Sequence, residues 1–457
     1  MQKSLPLRQL DDAVRHIAAN IHDYAKSDTD FTRKRKLDAE TLLKVTLNMQ
    51  GNSLNAELYD AFPDIEARMT ASAYEQAKAK LRPEAFEDLL RAYNASMKDP
   101  KTLDAAKSYR VYAIDGSKFS VPYDKNSIYA IQQPGKARLD GEPAKPYAML
   151  NANCMFDLMN RTYQDCIVQT IPESDERDAA IEMLKRVDNS EPFMVIMDRG
   201  YASFNMFETC NRIPNCHYVI RTRLDCVKEI KALPDAEVDT DMVFTVTISK
   251  HMQQALQAAG HADVHYVKHA KRHYKDERSS NTAQRRWDFE TTCRIHCRIV
   301  KFRINDDDSG KEQWEVLVTN LNRFEFPLSR MKEIYHMRWD IETSFRELKY
   351  ALGAMHFHSK KPEFIRMELF AHLAMFNAVS RHIASLCVPS ANHKDRYVVD
   401  FKMACKVIRR HYRIYYEAPP GDIYVDMLSY INPVRPGRKD ARRMRNKPAV
   451  WFLYRVA

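Results

Sequence analysis

What most constrains the fold of this chain is a change of hydrophobic period near Tyr109. Before it, apolar residues recur at helical spacing: Leu10, Val14, Ile17 and Ile21 form one stripe, Leu42, Leu43 and Leu47 another, and Leu54, Leu58 and Phe62 a third. Ser72 and Glu75 have capping-box spacing ahead of a helix that Pro83 breaks. After it, RVYAIDGSKFSVP, PYAMLNANCMFDLMN and RTYQDCIVQTI read as three strands of a meander. A helix from Glu176 to Val187 follows, and then Phe193–Met197, an unbroken apolar run that marks a strand buried on both faces and ends at Asp198. Three antiparallel strands, a helix and further strands is the order of an RNase H-like α/β core. In that order the first strand is central and lies beside the fourth, so Asp115 and Asp198 come close together. Two carboxylates held that near require a cation, and Mg2+ suits their oxygens.

Residues 224–311 have a different texture, with alternating strands such as MVFTVTISK and WDFETTCRIHCRIVKFRI between polar loops, and read as a mostly β insertion. Between Lys268 and Arg286 lies a basic loop with Tyr274 and Trp287 nearby, which reads equally well as a DNA contact or as a solvated loop. Cys293, His296 and Cys297 lack a second ligand pair at zinc spacing. The core resumes at Trp314–Leu321. The expected divisions are therefore 1–105 helical, 106–223 first part of the core, 224–311 insertion, 312–388 second part of the core, and 389–457 helical and basic.

The stretch Ser329–Gly353, SRMKEIYHMRWDIETSFRELKYALG, reads as a single helix. On it, Tyr335, Arg338, Trp339, Glu342, Arg346 and Lys349 share about 100° of the circumference, beside an apolar face of Ile334, Met337, Ile341, Phe345, Leu348 and Leu352. Glu342 could simply bridge Arg338 and Arg346 on a solvated surface, each pair contributing about 0.3–0.5 kcal/mol. Alternatively, a carboxylate ringed by cations at the edge of a buried face suits a metal ligand flanked by phosphate-binding groups. Asp115 and Asp198 upstream favour the second.

Composition agrees with a polyanionic partner. The chain of 457 residues carries 71 Lys and Arg against 61 Asp and Glu, a net charge of +10. Basic clusters occur at Arg33–Lys36 and through Arg435–Lys447. No apolar run reaches a membrane span and the N-terminus has no secretory h-region, so a cytoplasmic protein is expected. Nine cysteines, an odd number, fit reduced thiols better than a disulfide framework.

With Asp115 in AIDGSKF, Asp198 in VIMDRGY, and Tyr335, Arg338, Glu342 and Lys349 in the spacing Y-x2-R-x3-E-x6-K, the chain resembles bacterial DDE transposases of the insertion-sequence-four type. The resemblance implies cut-and-paste DNA transposition on an RNase H-like core. Asp115, Asp198 and Glu342 would hold two Mg2+ ions, for which Mn2+ would substitute. Tyr335, Arg338 and Lys349 would contact phosphates at the element's end, with Trp339 and Arg346 beside them. The implied partners are double-stranded DNA, both terminal inverted repeats and target, and a second copy of the chain in a synaptic homodimer. The implied setting is the bacterial nucleoid. In relatives with a hairpin intermediate an insertion-region aromatic stacks on a flipped base, for which Trp287 and Trp314 are both candidates. The alternative is a non-catalytic DNA-binding protein derived from such an element.

Overall fold

Five helices open the computed structural model, which describes residues 4–33, 37–103, 108–132, 146–261, 263–268, 270–272, 285–304, 313–386, 397–413 and 421–434. They are α1 (Leu5–Ala19), α2 (Ala39–Asn48), α3 (Leu54–Ala61), α4 (Ala71–Lys78) and α5 (Glu84–Ala95). Their starts are set locally. The side chains of Asp38, Ser53 and Thr70 accept hydrogen bonds from Thr41, Ala56 and Ala73 N–H, each satisfying an otherwise unpaired helix donor. Helix α4 is thus capped by Thr70, two residues before the Ser72 expected from sequence. Pro83 precedes α5, where a missing N–H costs nothing.

The meander follows as β1 (Arg110–Val121), β2 (Tyr147–Asp157) and β3 (Thr162–Thr170), all antiparallel. Then come α6 (Glu176–Arg186), β4 (Phe193–Met197), α7 (Phe204–Arg212) and β5 (Cys216–Thr222). Strand β4 runs parallel to both β1 and β5. All five of its residues are buried because each face of the sheet carries its own core. Along β1, Val111, Ala113 and Phe119 enter one core, while Tyr112 and Ile114 enter the other.

The sheet does not stop at β5. Strands β6 (Val238–Thr247), β7 (Thr292–Ile304) and β8 (Gln313–Thr319) extend it: β8 pairs with β5, β7 with β8, and β6 with β7, all antiparallel. The long strands of 224–311 are therefore continuous with the central sheet by hydrogen bonding. Ten described strands belong to it. Cys293 and Cys297 are buried along β7. The loop around Tyr274, most of the basic run at Arg33–Lys36 and the tail from Arg435 lie outside the described residues.

Helices α8 (Leu328–His336), α9 (Trp339–Tyr350), α10 (Pro362–Ala384) and α11 (Phe401–Tyr412) complete the architecture. Helix α10 is buried nearly all round, with Glu368, His372, Asn377 and Arg381 enclosed among its apolar residues. It packs against α1, α2, α5, α11 and β3, so the N-terminal helices and the sheet share one core. Asn377 fixes this junction, accepting from Tyr163 N at 2.7 Å and donating to Tyr163 O and Asn94 Oδ1, both at 2.8 Å. Among the described residues no helix is long and apolar enough to cross a membrane.

Candidate active site

Strand register brings the two aspartates together. Ile114 of β1 pairs with Met197 of β4, so the next residue on each of these parallel neighbours is Asp115 and Asp198. Asp198 starts a tight turn in which Gly200 N–H donates to Asp198 Oδ1 at 2.6 Å. A Cβ at position 200 would lie 2.9 Å from that oxygen, which explains the glycine. Asp115 accepts from Gly116 N–H at 2.9 Å.

Glu342 arrives from the opposite end of the sequence, in the first turn of α9. The single helix expected over Ser329–Gly353 is divided at Met337 and Arg338, where Arg338, Asp340 and Ile341 N–H bond to carbonyls three residues back. This tightening changes how the six side chains are presented. Tyr335 and Arg338 are buried, Trp339, Glu342 and Arg346 are exposed, and Lys349 is half-buried. The Arg338 guanidinium lies between two of the acids, 2.9 Å from Glu342 Oε1 and 3.8 Å from Asp115 Oδ2. It also lies 5.0 Å from the Trp339 ring centre and 5.8 Å from that of Tyr335. The Tyr335 hydroxyl and Arg338 Nε are buried without hydrogen-bond partners among the described residues.

The site carries surplus negative charge. Burial pushes the Asp115 carboxyl up to about 7; Gly116 N–H and Arg338 pull it down, while Asp198 and Glu342 push it up. Among the described residues no three acids, histidines or cysteines are gathered closely enough to hold a metal ion. The donor chemistry nonetheless fits a hard divalent cation, because it is all oxygen and the acids already draw a guanidinium between them.

Lys349 Nζ donates to Ser117 Oγ at 2.7 Å and Lys118 O at 2.8 Å, and lies 4.6 Å from the Phe119 ring centre. Burial lowers its pKa to about 8. Its ammonium therefore ties α9 to the strand that bears Asp115. Two residues that the sequence did not single out add to this hold. Arg161 reaches Glu347 at 2.9 Å and Asp340 at 3.6 Å, and the Tyr163 hydroxyl meets Ser344 Oγ at 2.8 Å. Both sit in the turn and strand that follow β2, more than 170 residues from their partners, so no local pattern could reveal them.

The two tryptophans separate. Trp287 is fully buried and donates from Nε1 to Glu290 O at 2.7 Å, so its ring is part of the core. Trp314 is partly exposed, with Lys301 Nζ 4.3 Å and the Arg303 guanidinium 5.0 Å from its ring. Near Asp198 opens a groove of about 1260 Å³ of mixed charge, lined by Arg177, Arg199 and Arg223 together with Asp175, Glu176, Asp178 and Asp225.

Residues 106–378 match the family described as Transposase DDE domain. Over 113 residues the chain is 28% identical to the transposase InsG for insertion sequence element IS4 of Escherichia coli strain K12. That match takes in 24% of this chain and 25% of that protein, so it spans about a quarter of the relative's length. Among solved structures, the piggyBac transposase synaptic complex with hairpin DNA, determined by cryo-EM, superposes with a TM-score of 0.44 and 11% identity, over 95% of this chain and 86% of that one.

Proposed function

Since this chain belongs to the transposase DDE domain family, we propose that it cuts and joins DNA at the ends of its insertion sequence, by metal-dependent cut-and-paste transposition on an RNase H-like core. The observation that carries the reading is the register of β1 and β4, with Arg338 linking the aspartate of one strand to the glutamate of α9. Asp115, Asp198 and Glu342 would hold two Mg2+ ions, or Mn2+ in their place. When bound, such ions supply activation of the attacking oxygen and neutralisation of the departing one.

The chain's own groups do the rest. Arg338 offsets the charge of Asp115 and Glu342, and its guanidinium would offer a paired donor to a backbone phosphate at the same place. Trp339, Arg346 and Lys349 extend this contact along the transposon end, and Tyr335 supports Arg338 from beneath. Residues 1–105 recognise the terminal repeat, 106–223 and 312–388 form the core, 224–311 and 389–457 add DNA contacts, and two copies bridge two ends in the bacterial nucleoid.

The test is cleavage of DNA carrying the element's termini, with and without Mg2+. Asp115→Asn, Asp198→Asn and Glu342→Gln each abolish strand cleavage and retain end binding. Full cleavage by any one of them removes that residue from the assignment. End binding without cleavage by the unaltered protein favours the non-catalytic alternative.

A further inference from the structure

Glu176, at the start of α6, has its carboxylate against the catalytic strand. A Cβ built on Gly116 would stand 2.6 Å from Glu176 Oε1 and 3.0 Å from Asn153 Oδ1. Gly116 follows Asp115 directly and faces Asn153 across the β1–β2 ladder. The glycine leaves room for that carboxylate where any side chain would push it away.

Buried amides determine why Glu176 sits there. Asn151 and Asn153 are 1% and 0% exposed, at alternate positions of β2 and so on one face. Asn151 donates to Asn153 Oδ1 at 3.2 Å and to Ser174 Oγ at 2.7 Å. Asn153 donates to Gln169 Oε1 at 2.9 Å, and the same oxygen accepts Asp175 N–H at 3.1 Å. Asp175 caps α6. Buried amides are costly unless bonded, and these form a chain that runs from the catalytic strand's neighbour to the first turn of α6.

Tyr201 reaches the same place from the turn after Asp198. Its side chain is 1% exposed and its hydroxyl has no hydrogen-bond partner among the described residues. Its backbone N–H donates to Asp198 O at 3.2 Å, which holds the ring beside that turn, where the charges of Asp115, Glu176 and Asp198 all act on it. A buried donor without a partner, facing three acids, marks a place where an acceptor belongs.

We propose that Glu176 is a fourth carboxylate of the divalent-cation site, approaching β1 from the side opposite Arg338, with the Tyr201 hydroxyl as the donor that positions the acceptors there. This rests on the metal-dependent function proposed above. The experiment is Mn2+ titration of the full chain without DNA, followed by electron paramagnetic resonance, with melting in metal-free buffer alongside. Glu176→Gln weakens Mn2+ binding about 10- to 100-fold, the range for groups that support a metal site, and Tyr201→Phe weakens it toward the lower end of that range. Gly116→Ala displaces Glu176 without changing any charge and lowers affinity in the same way, which decides the matter if Glu176→Gln folds poorly. Asp115→Asn is the reference. Wild-type affinity in Glu176→Gln and Gly116→Ala, with affinity lost in Asp115→Asn, overturns the role of Glu176 alone. Wild-type affinity in all of them overturns the metal-dependent reading as well.

Discussion

Lys78, Glu368, His358 and Glu57 make a cluster of the same chemical kind as Asp115, Arg338 and Glu342, yet the two are completed in opposite ways. In the first, Glu368 receives Lys78 Nζ at 2.8 Å on one oxygen and His358 N–H at 2.9 Å on the other, with His358 Nδ1 3.1 Å away. Lys78 and Glu368 are each 1% exposed. Burial opposes the charge on Glu368, but Lys78 and His358 hold its carboxyl well below the usual range. Glu57 in turn accepts Gln50 and Asn52 N–H at 2.9 and 3.0 Å. This cluster is closed, and it fastens α4 and the segment before α3 to α10. The cluster of Asp115, Arg338 and Glu342 is open: one arginine serves two acids, and Glu342 is 42% exposed. A closed ionic cluster holds the fold together, whereas an open one keeps charge in reserve for a ligand.

The largest expected difference is in stability. Glu368→Gln leaves the buried Lys78 ammonium without its counter-charge and costs about 3–5 kcal/mol, while Glu342→Gln, whose carboxylate is solvated and whose buried partner Arg338 still faces Asp115, costs about 1 kcal/mol. Urea unfolding of both variants measures this, and equal losses would erase the distinction between the clusters.

A smaller effect follows from pH. Burial lowers the pKa of His372 to about 3 and of His382 to about 4, both on α10. The unfolded chain therefore binds protons that the folded chain refuses once pH drops below about 6.5. Stability is full above that value and falls as pH falls toward those of the folded state, by about 1 kcal/mol per histidine between pH 6.5 and 5.5. Urea midpoints at the two pH values test it; a flat profile would mean that α10 admits water.

The smallest effect is on DNA binding. If the open cluster gives its cations to phosphates, Arg338→Ala and Lys349→Ala each reduce the slope of log K against log salt by about 0.9. End binding across a salt series reads this directly. An unchanged slope with a lowered melting temperature would identify a strut, an outcome most telling for Lys349, whose ammonium already holds Ser117 and Lys118.

Two of the candidate acids stood out in the sequence because they sit where periodicity changes, Asp198 just past a buried strand and Glu342 in the first turn of α9, whereas Asp115 lies in the middle of β1. The run Phe193–Met197 announces a strand whose C-terminal neighbour is Asp198, and β4 has those bounds. The spacing of Tyr335, Arg338, Glu342 and Lys349 carried the family likeness even though α8 and α9 divide at Arg338. Periodicity could not show which of these side chains are covered, since burial depends on what packs against the helix.

The sequence by itself determined the elements: caps, periods and the ends of strands are local, set by side chains within a few residues of the backbone groups they satisfy. Only the tertiary structure decided the partners. That 224–311 lengthens the central sheet depends on β7 pairing with β8. That Trp287 is core depends on the covering of its ring, and that Glu176 lies against Gly116 depends on a chain of buried amides spanning β2, β3 and α6. Those contacts join residues far apart in the chain, where the energy lies in register and enclosure and leaves no periodic trace in the sequence.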